Sequence, residues 1–188
     1  QFGDDLDRAQ CAHELGIDGR RFTVLMMAGG AGVGDLGELA RRLLRLPADL
    51  QLVALAARNQ ELLARLERLP REHAGRLFPL GYTTTVERVM TATDLVVTKP
   101  GGLSVSECLA KGKPMLLVSP IPGQEERNAD YLLEAGAAIK AADAATLEFK
   151  LAGLMAEPRR LRGMSDAAQR IARPRAAEEV VALICRAK

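Results

Sequence analysis

Aromatic side chains are almost missing from this sequence: its 188 residues include four Phe, two Tyr and no Trp, 3% in all. Since 48% of the chain is nonetheless hydrophobic, the core has to be built from Leu, Val and Ala, the composition of helices packed on a parallel sheet. Its charges nearly cancel, 26 Lys and Arg against 24 Asp and Glu. A formal net charge of +2 is too small to argue for a nucleic-acid partner. The three cysteines, Cys11, Cys108 and Cys185, are odd in number and widely spaced, which excludes a disulfide framework. No signal-peptide pattern appears, and no apolar run approaches the roughly 18 residues of a membrane span. A reducing, cytoplasmic setting is expected. The chain also lacks an initiating Met and begins QFGDDLDRAQ, which reads as a cut through a longer protein.

What is present is a regular alternation. Residues 1–21 are polar, with a short helical stretch around Leu6–Leu15, and read as a linker or entry helix. Phe22–Gly30 is an apolar strand that stops at glycines. Asp35–Leu46 has Leu36, Leu39, Leu43 and Leu46 at helical spacing and ends before Pro47. Leu50–Ala57 reads as a strand and Gln60–Leu69 as a helix. Arg76–Leu80 and Leu95–Thr98 are strands around a short helix, Thr85–Thr91. Then come a helix over Leu103–Lys111, a strand at Pro114–Ser119, a helix over about Glu125–Ala135, a short strand near Ala137–Lys140, and helices to the end. Such alternation predicts βαβ units around one parallel sheet, an α/β fold spanning residues 22–188.

In open α/β sheets ligands gather at the carboxyl ends of the strands. Four unusual segments fall there: AGGAGVG (Ala28–Gly34), GYTTT (Gly81–Thr85), KPGGLSVSE (Lys99–Glu107) and PGQEERN (Pro122–Asn128). Glycines after a strand let backbone approach a phosphate, and the helix that follows offers free N–H groups and a positive dipole end. The same glycines would equally serve a tight turn without a ligand. Gly32, Gly34 and Gly37 also spell G-x-G-x-x-G, the dinucleotide fingerprint, but the acidic ribose ligand expected about 20 residues on is missing. Arg58 lies near that point and suits a 2′-phosphate, which keeps an NADP-dependent oxidoreductase open.

That reading leaves the second glycine loop idle. Gly101 and Gly102 remove side chains where something must lie against the backbone. Glu107 follows within two helical turns and can face the same cleft, where a carboxylate accepts two hydrogen bonds from the paired hydroxyls of a ribose. Alternatively it only favours its own helix dipole. Gln124 and Glu125 stand at a helix start, either reaching sugar hydroxyls or capping a solvated loop.

The run KPGGLSVSE…PIPGQEERNADYLLEAGAA resembles the C-terminal, donor-binding domain of glycosyltransferase family 28. The likeness is strongest to monogalactosyldiacylglycerol synthases and processive diacylglycerol glucosyltransferases. It is dense over Gly81–Ala138 and recurs at Met27–Gly34. The resemblance implies the Rossmann-like C-terminal half of a two-domain GT-B glycosyltransferase, with helices on both faces of the sheet and a UDP-sugar donor, UDP-galactose or UDP-glucose. Gly29, Gly30 and Ala31 would lie by the pyrophosphate, with the amides of the Gly101–Leu103 turn (Gly101, Gly102, Leu103) nearby. Tyr82 and Thr83 would frame the uracil, Glu107 would take the ribose hydroxyls, and Gln124 and Glu125 the hexose. Plant-type members tend to carry Glu where this chain has Ala31.

The family inverts the anomeric carbon and stabilises the departing diphosphate with amides and helix dipoles, so no metal or other cofactor is expected. Asp5-Leu6-Asp7 has the letters of a metal motif but follows no strand. The catalytic base and the lipid acceptor site belong to an N-terminal domain, so no catalytic residue is expected in this chain. Arg159, Arg160, Arg162, Arg170, Arg173 and Arg175 form a basic run, which reads as solvated helix surface or as an attraction to anionic lipid on the cytosolic membrane face. A nucleotide-sugar-binding module without catalysis is the remaining alternative.

Overall fold

The computed structural model describes residues 2–3, 5–27, 36–46, 49–69, 73 and 75–186. Its strands are β1 (Phe22–Met27), β2 (Leu50–Ala57), β3 (Leu77–Gly81), β4 (Leu95–Thr98), β5 (Met115–Val118) and β6 (Ala138–Ala141). The helices are α1 (Arg8–Glu14), α2 (Leu36–Leu43), α3 (Gln60–Arg68), α4 (Val86–Ala92), α5 (Gly102–Ala110), α6 (Gln124–Glu134), α7 (Ala144–Ala156), α8 (Pro158–Ile171) and α9 (Ala176–Arg186). The six described strands form one sheet in the order β3-β2-β1-β4-β5-β6, every pairing parallel. The order reverses between β1 and β4, so the crevice at the carboxyl ends lies there.

Both sheet faces are covered, which is why the strands are apolar nearly throughout rather than alternating. Val24 and Met26 of β1 join Leu52 and Ala54 of β2 against Leu36 and Leu43 of α2, Leu66 of α3 and Leu147, Leu151 and Leu154 of α7. Leu25, Val53, Val96 and Leu117 point the other way, onto Val89 and Met90 of α4, Cys108 of α5 and Leu132 of α6. Helix starts follow local chemistry. Asn59 Oδ1 accepts from Leu62 N at the head of α3, and Asp143 Oδ1 accepts from Thr146 N at the head of α7.

Residues 1–21 carry a docked element. Cys11, Ala12 and Ile17 are buried, α1 packs on α4, and Arg8 makes a two-pronged ion pair with Asp94 (2.6 and 2.9 Å). The polar look of this segment hid that contact, because its partner lies 86 positions away. Asp94 also accepts from Thr23 N, and Arg76 donates to the carbonyls of Leu44, Leu46 and Leu50, so charged side chains close the amino-terminal edge of the sheet. All three cysteines are free. No described helix is long and apolar enough to cross a membrane.

Candidate functional site

The described loops at the carboxyl ends are Arg58–Asn59, Tyr82–Thr85, Lys99–Gly101, Ser119–Gly123 and Ala142–Asp143. Gly29, Gly30 and Ala31, expected by the pyrophosphate, lie outside the described residues, as do Gly32 and Gly34. Gly37, the last glycine of the fingerprint, is buried in α2.

The β4–α5 turn and the head of α6 come together. Gly101 is the N-cap of α5 and Gly102 its first residue. A Cβ added to Gly101 would stand 3.9 Å from Glu125 Oε1, and one on Gly102 would stand 3.9 Å from Gln124 Nε2. These distances are ordinary van der Waals contact, so the glycines leave the two α6 side chains lying over bare backbone. Asn128 fixes the arrangement from below: its Nδ2 donates to Pro100 O at 2.9 Å, tying α6 to the turn before α5. Glu125 is not wholly free, since its Oε2 accepts from Ile121 N at 2.8 Å. Glu126 accepts from Gly123 N, so it is the neighbouring carboxylate that serves the helix start. Gly123 has φ 102°, a conformation that favours glycine, and Ser119 at the end of β5 has φ 44°, held there at some cost in backbone energy.

Glu107 sits on the second turn of α5, half-buried. Burial raises its carboxyl above the ordinary glutamate value, and no hydrogen-bond donor faces it among the described residues. A desolvated acceptor without a partner is poised for hydroxyl donors. Leu103, whose amide was expected near the diphosphate, lies in the first turn of α5 with its side chain 83% exposed. Tyr82 projects from the end of β3, 59% exposed. Thr83 is turned locally inward: its hydroxyl accepts from Thr85 N at 3.1 Å and pairs with Thr85 Oγ1 at 2.9 Å, shaping the entrance to α4.

Two residues were missed or misread from sequence. Asn128 is part of the quoted PGQEERN run, but nothing local marks it as a brace, because its acceptor is a backbone carbonyl 28 positions away. Arg58, weighed as a 2′-phosphate ligand, instead lies over the Tyr82 ring at 4.7 Å from its centroid. Asp7, the second carboxylate of the metal-like letters, caps α1 by accepting from Ala9 N. The basic run is partly neutralised, Arg160 by Glu157 and Arg175 by Glu178.

Comparison with known proteins bears on the family and the fold. The family described as glycosyltransferase family 28 C-terminal domain matches residues 24–180. Among curated proteins, a processive diacylglycerol beta-glucosyltransferase of Bacillus pumilus (strain SAFR-032) is 35% identical over 140 residues, covering 74% of this chain and 36% of that protein. One from Staphylococcus carnosus (strain TM300) is 38% identical over 137 residues, 72% of this chain and 35% of its own length. The chain thus spans little more than a third of these relatives. Among solved structures, MurG of Acinetobacter baumannii superposes with a TM-score of 0.74 at 20% identity, over 99% of this chain and 55% of that one. HepE of Anabaena, in complex with UDP and glucose, gives 0.66 at 18% identity, over 87% and 46%. At such identities these two show the fold: the α/β arrangement of GT-B glycosyltransferases.

Proposed function

The chain belongs to the C-terminal domains of glycosyltransferase family 28, and from that premise we propose that it is the donor-binding half of an inverting, metal-independent transferase that moves a hexose from UDP to a diacylglycerol-type lipid. The observation that carries this reading is the meeting of Gly101, Gly102, Gln124 and Glu125 at the heads of two helices, with the half-buried Glu107 carboxylate, unpaired among the described residues, one turn further on. Glu107 accepts the two ribose hydroxyls. The turn at Gly101–Leu103, with the free N–H groups and dipole of α5, faces the diphosphate, together with Gly29, Gly30 and Ala31 of the first glycine loop. Gln124 and Glu125 reach the hexose, Glu125 through the oxygen that Ile121 does not occupy. Tyr82 and Thr83 frame the base.

Chemistry follows from the leaving group. Breaking the sugar–phosphate bond builds negative charge on the diphosphate, and preorganised amides stabilise it in the transition state more than in the ground state. The lipid brings the acceptor hydroxyl, and the base that deprotonates it and the lipid site are assigned to an N-terminal domain rather than to these 188 residues. Relatives named as glucosyltransferases favour UDP-glucose over UDP-galactose. Exposed Arg159, Arg162, Arg170 and Arg173 would draw the whole protein to anionic lipid on the cytosolic face as a peripheral protein, at about 1 kcal/mol per well-placed cation.

The NADP reading loses its footing here, since Arg58 is engaged by Tyr82 and the second glycine loop would have no task. Calorimetry with UDP, UDP-glucose and NADPH tests the proposal. UDP-glucose binding that Gln124→Ala or Glu125→Ala weakens more than UDP binding is the expected result. Binding of NADPH in preference to UDP would overturn it.

A further inference from the structure

Arg58 and Tyr82 follow directly on a paired position, Ala57 of β2 opposite Gly81 of β3. That pairing is irregular. The register shifts between Leu55 and Ala57, and Ala57 itself has φ 50°, a left-handed conformation that an alanine adopts only when its surroundings impose it. Such a bulge re-aims the side chain that follows it. Here it sends the Arg58 guanidinium over one face of the Tyr82 ring, 4.7 Å from the centroid. Opposite Ala57, Gly81 closes the strand where a Cβ would press on Leu63 Cδ2 at 3.3 Å, so the backbone beneath the ring is fitted closely to α3. Arg58 makes no ion pair among the described residues, which leaves the ring as the contact that accounts for its placement.

An aromatic side chain on an open rim would otherwise sample several rotamers, and a base that stacks on it would have to fix one of them. A guanidinium is planar, weakly hydrated and attracted to the ring quadrupole, so it holds the ring while leaving the remaining surface, 59% of the residue exposed, to a planar ligand. We propose that Arg58 is a positioning residue for nucleobase recognition, fixing the Tyr82 ring in the orientation on which a pyrimidine stacks. The inference rests on the donor reading above.

A double-mutant cycle on the 188-residue chain, read by UDP calorimetry, tests it. Arg58→Gln, which keeps a planar end but loses the cation, is expected to weaken UDP by roughly 2-fold to 30-fold, the range from an exposed to a desolvated cation–π contact. Arg58→Lys should retain part of the affinity. In a Tyr82→Ala background Arg58→Gln should cost nothing further. An equal loss in both backgrounds would mean that Arg58 acts on the diphosphate or elsewhere and overturns the inference, as would no loss in either. A wild-type chain that binds no UDP overturns the donor reading and this inference together. Binding with additive losses overturns only the role of Arg58.

Discussion

Replacing Glu107 pulls apart stability and ligand affinity in opposite directions. Burial raises the folded-state pKa of this carboxyl above its ordinary value of 4.5, with desolvation as the cause. Between the ordinary and the raised value the folded chain therefore binds more protons than the unfolded chain. The contribution of Glu107 to stability falls as pH rises through that window, and at neutral pH the ionised group is a net burden on the empty fold. Glu107→Gln lifts the burden, so the variant without nucleotide should melt at the same temperature as wild type or higher. Affinity moves the other way. Hydrogen bonds to a charged acceptor contribute about 1.5–3 kcal/mol, so Glu107→Ala should weaken UDP by roughly 10- to 150-fold. The pH profile adds a second reading. Because ribose hydroxyls need the ionised acceptor, wild-type affinity should drop as pH falls through the raised pKa, and the Gln variant should lack that component. Thermal unfolding and calorimetry from pH 5 to 8 measure both effects. Unchanged UDP affinity in a folded variant would remove Glu107 from the site. A variant clearly less stable than wild type would show that the carboxylate has a partner in the empty protein, and the reasoning would fail at its first step.

Lys113, whose ammonium donates to the carbonyls of Thr91 and Thr93, is lowered by burial from 10.5 to about 8. Between those values the unfolded chain holds a proton that the folded chain does not, so stability should rise with pH, at most by about 1.4 kcal/mol per unit, and Lys113→Met should flatten the rise in urea titrations. Gly112→Ala should destabilise by about 1 kcal/mol or more, since φ is 59° and the added Cβ would stand 2.7 Å from Gln169 Nε2; adding Gln169→Ala should recover the steric part alone. UDP binding should survive excess chelator, and a strict need for magnesium or manganese would refute the proposed amide stabilisation of the diphosphate. The 188 residues alone should bind UDP yet transfer no sugar to diacylglycerol in a radiolabel assay, because near-attack alignment requires the acceptor-side groups; robust turnover would mean that a base lies within this chain.

The fold was legible because its signals are local. Leu50–Ala57 and Leu95–Thr98 were bounded to the residue, since a doubly buried strand is a short apolar run between polar turns. Strand β3 was placed one residue early because Arg76, which looks like a strand residue flanking Leu77, spends its side chain on three backbone carbonyls at the sheet edge. The meeting of Gly101, Gly102 and Gln124 at one rim was legible, because glycines after a strand and polar residues at a helix start are unusual letters. The candidate site was illegible where ordinary residues act through distant partners. Asn128 reads as one more polar helix residue until Pro100 is seen beside it, and Arg58 reads as a phosphate ligand until the bulge at Ala57 turns it onto Tyr82.

The bond from Asn128 to Pro100 has a consequence for how selective such a site can be. It ties the head of α6 to the turn before α5 and so restrains the distance between the groups proposed for the diphosphate and those proposed for the hexose. Once one end of a donor is seated, the other end meets its partners at high effective concentration, as in a bivalent ligand on a stiff spacer. Under the proposed reading a whole nucleotide sugar should then be held far more tightly than the separate affinities of nucleotide and free hexose suggest. A molecule with the right ends but the wrong distance between them gains from one end only. Cutting the tie with Asn128→Ala should leave the affinity for UDP nearly intact and reduce the margin by which UDP-glucose exceeds it. The quantity that this single side-chain amide controls is the distance between two contacts rather than the strength of either.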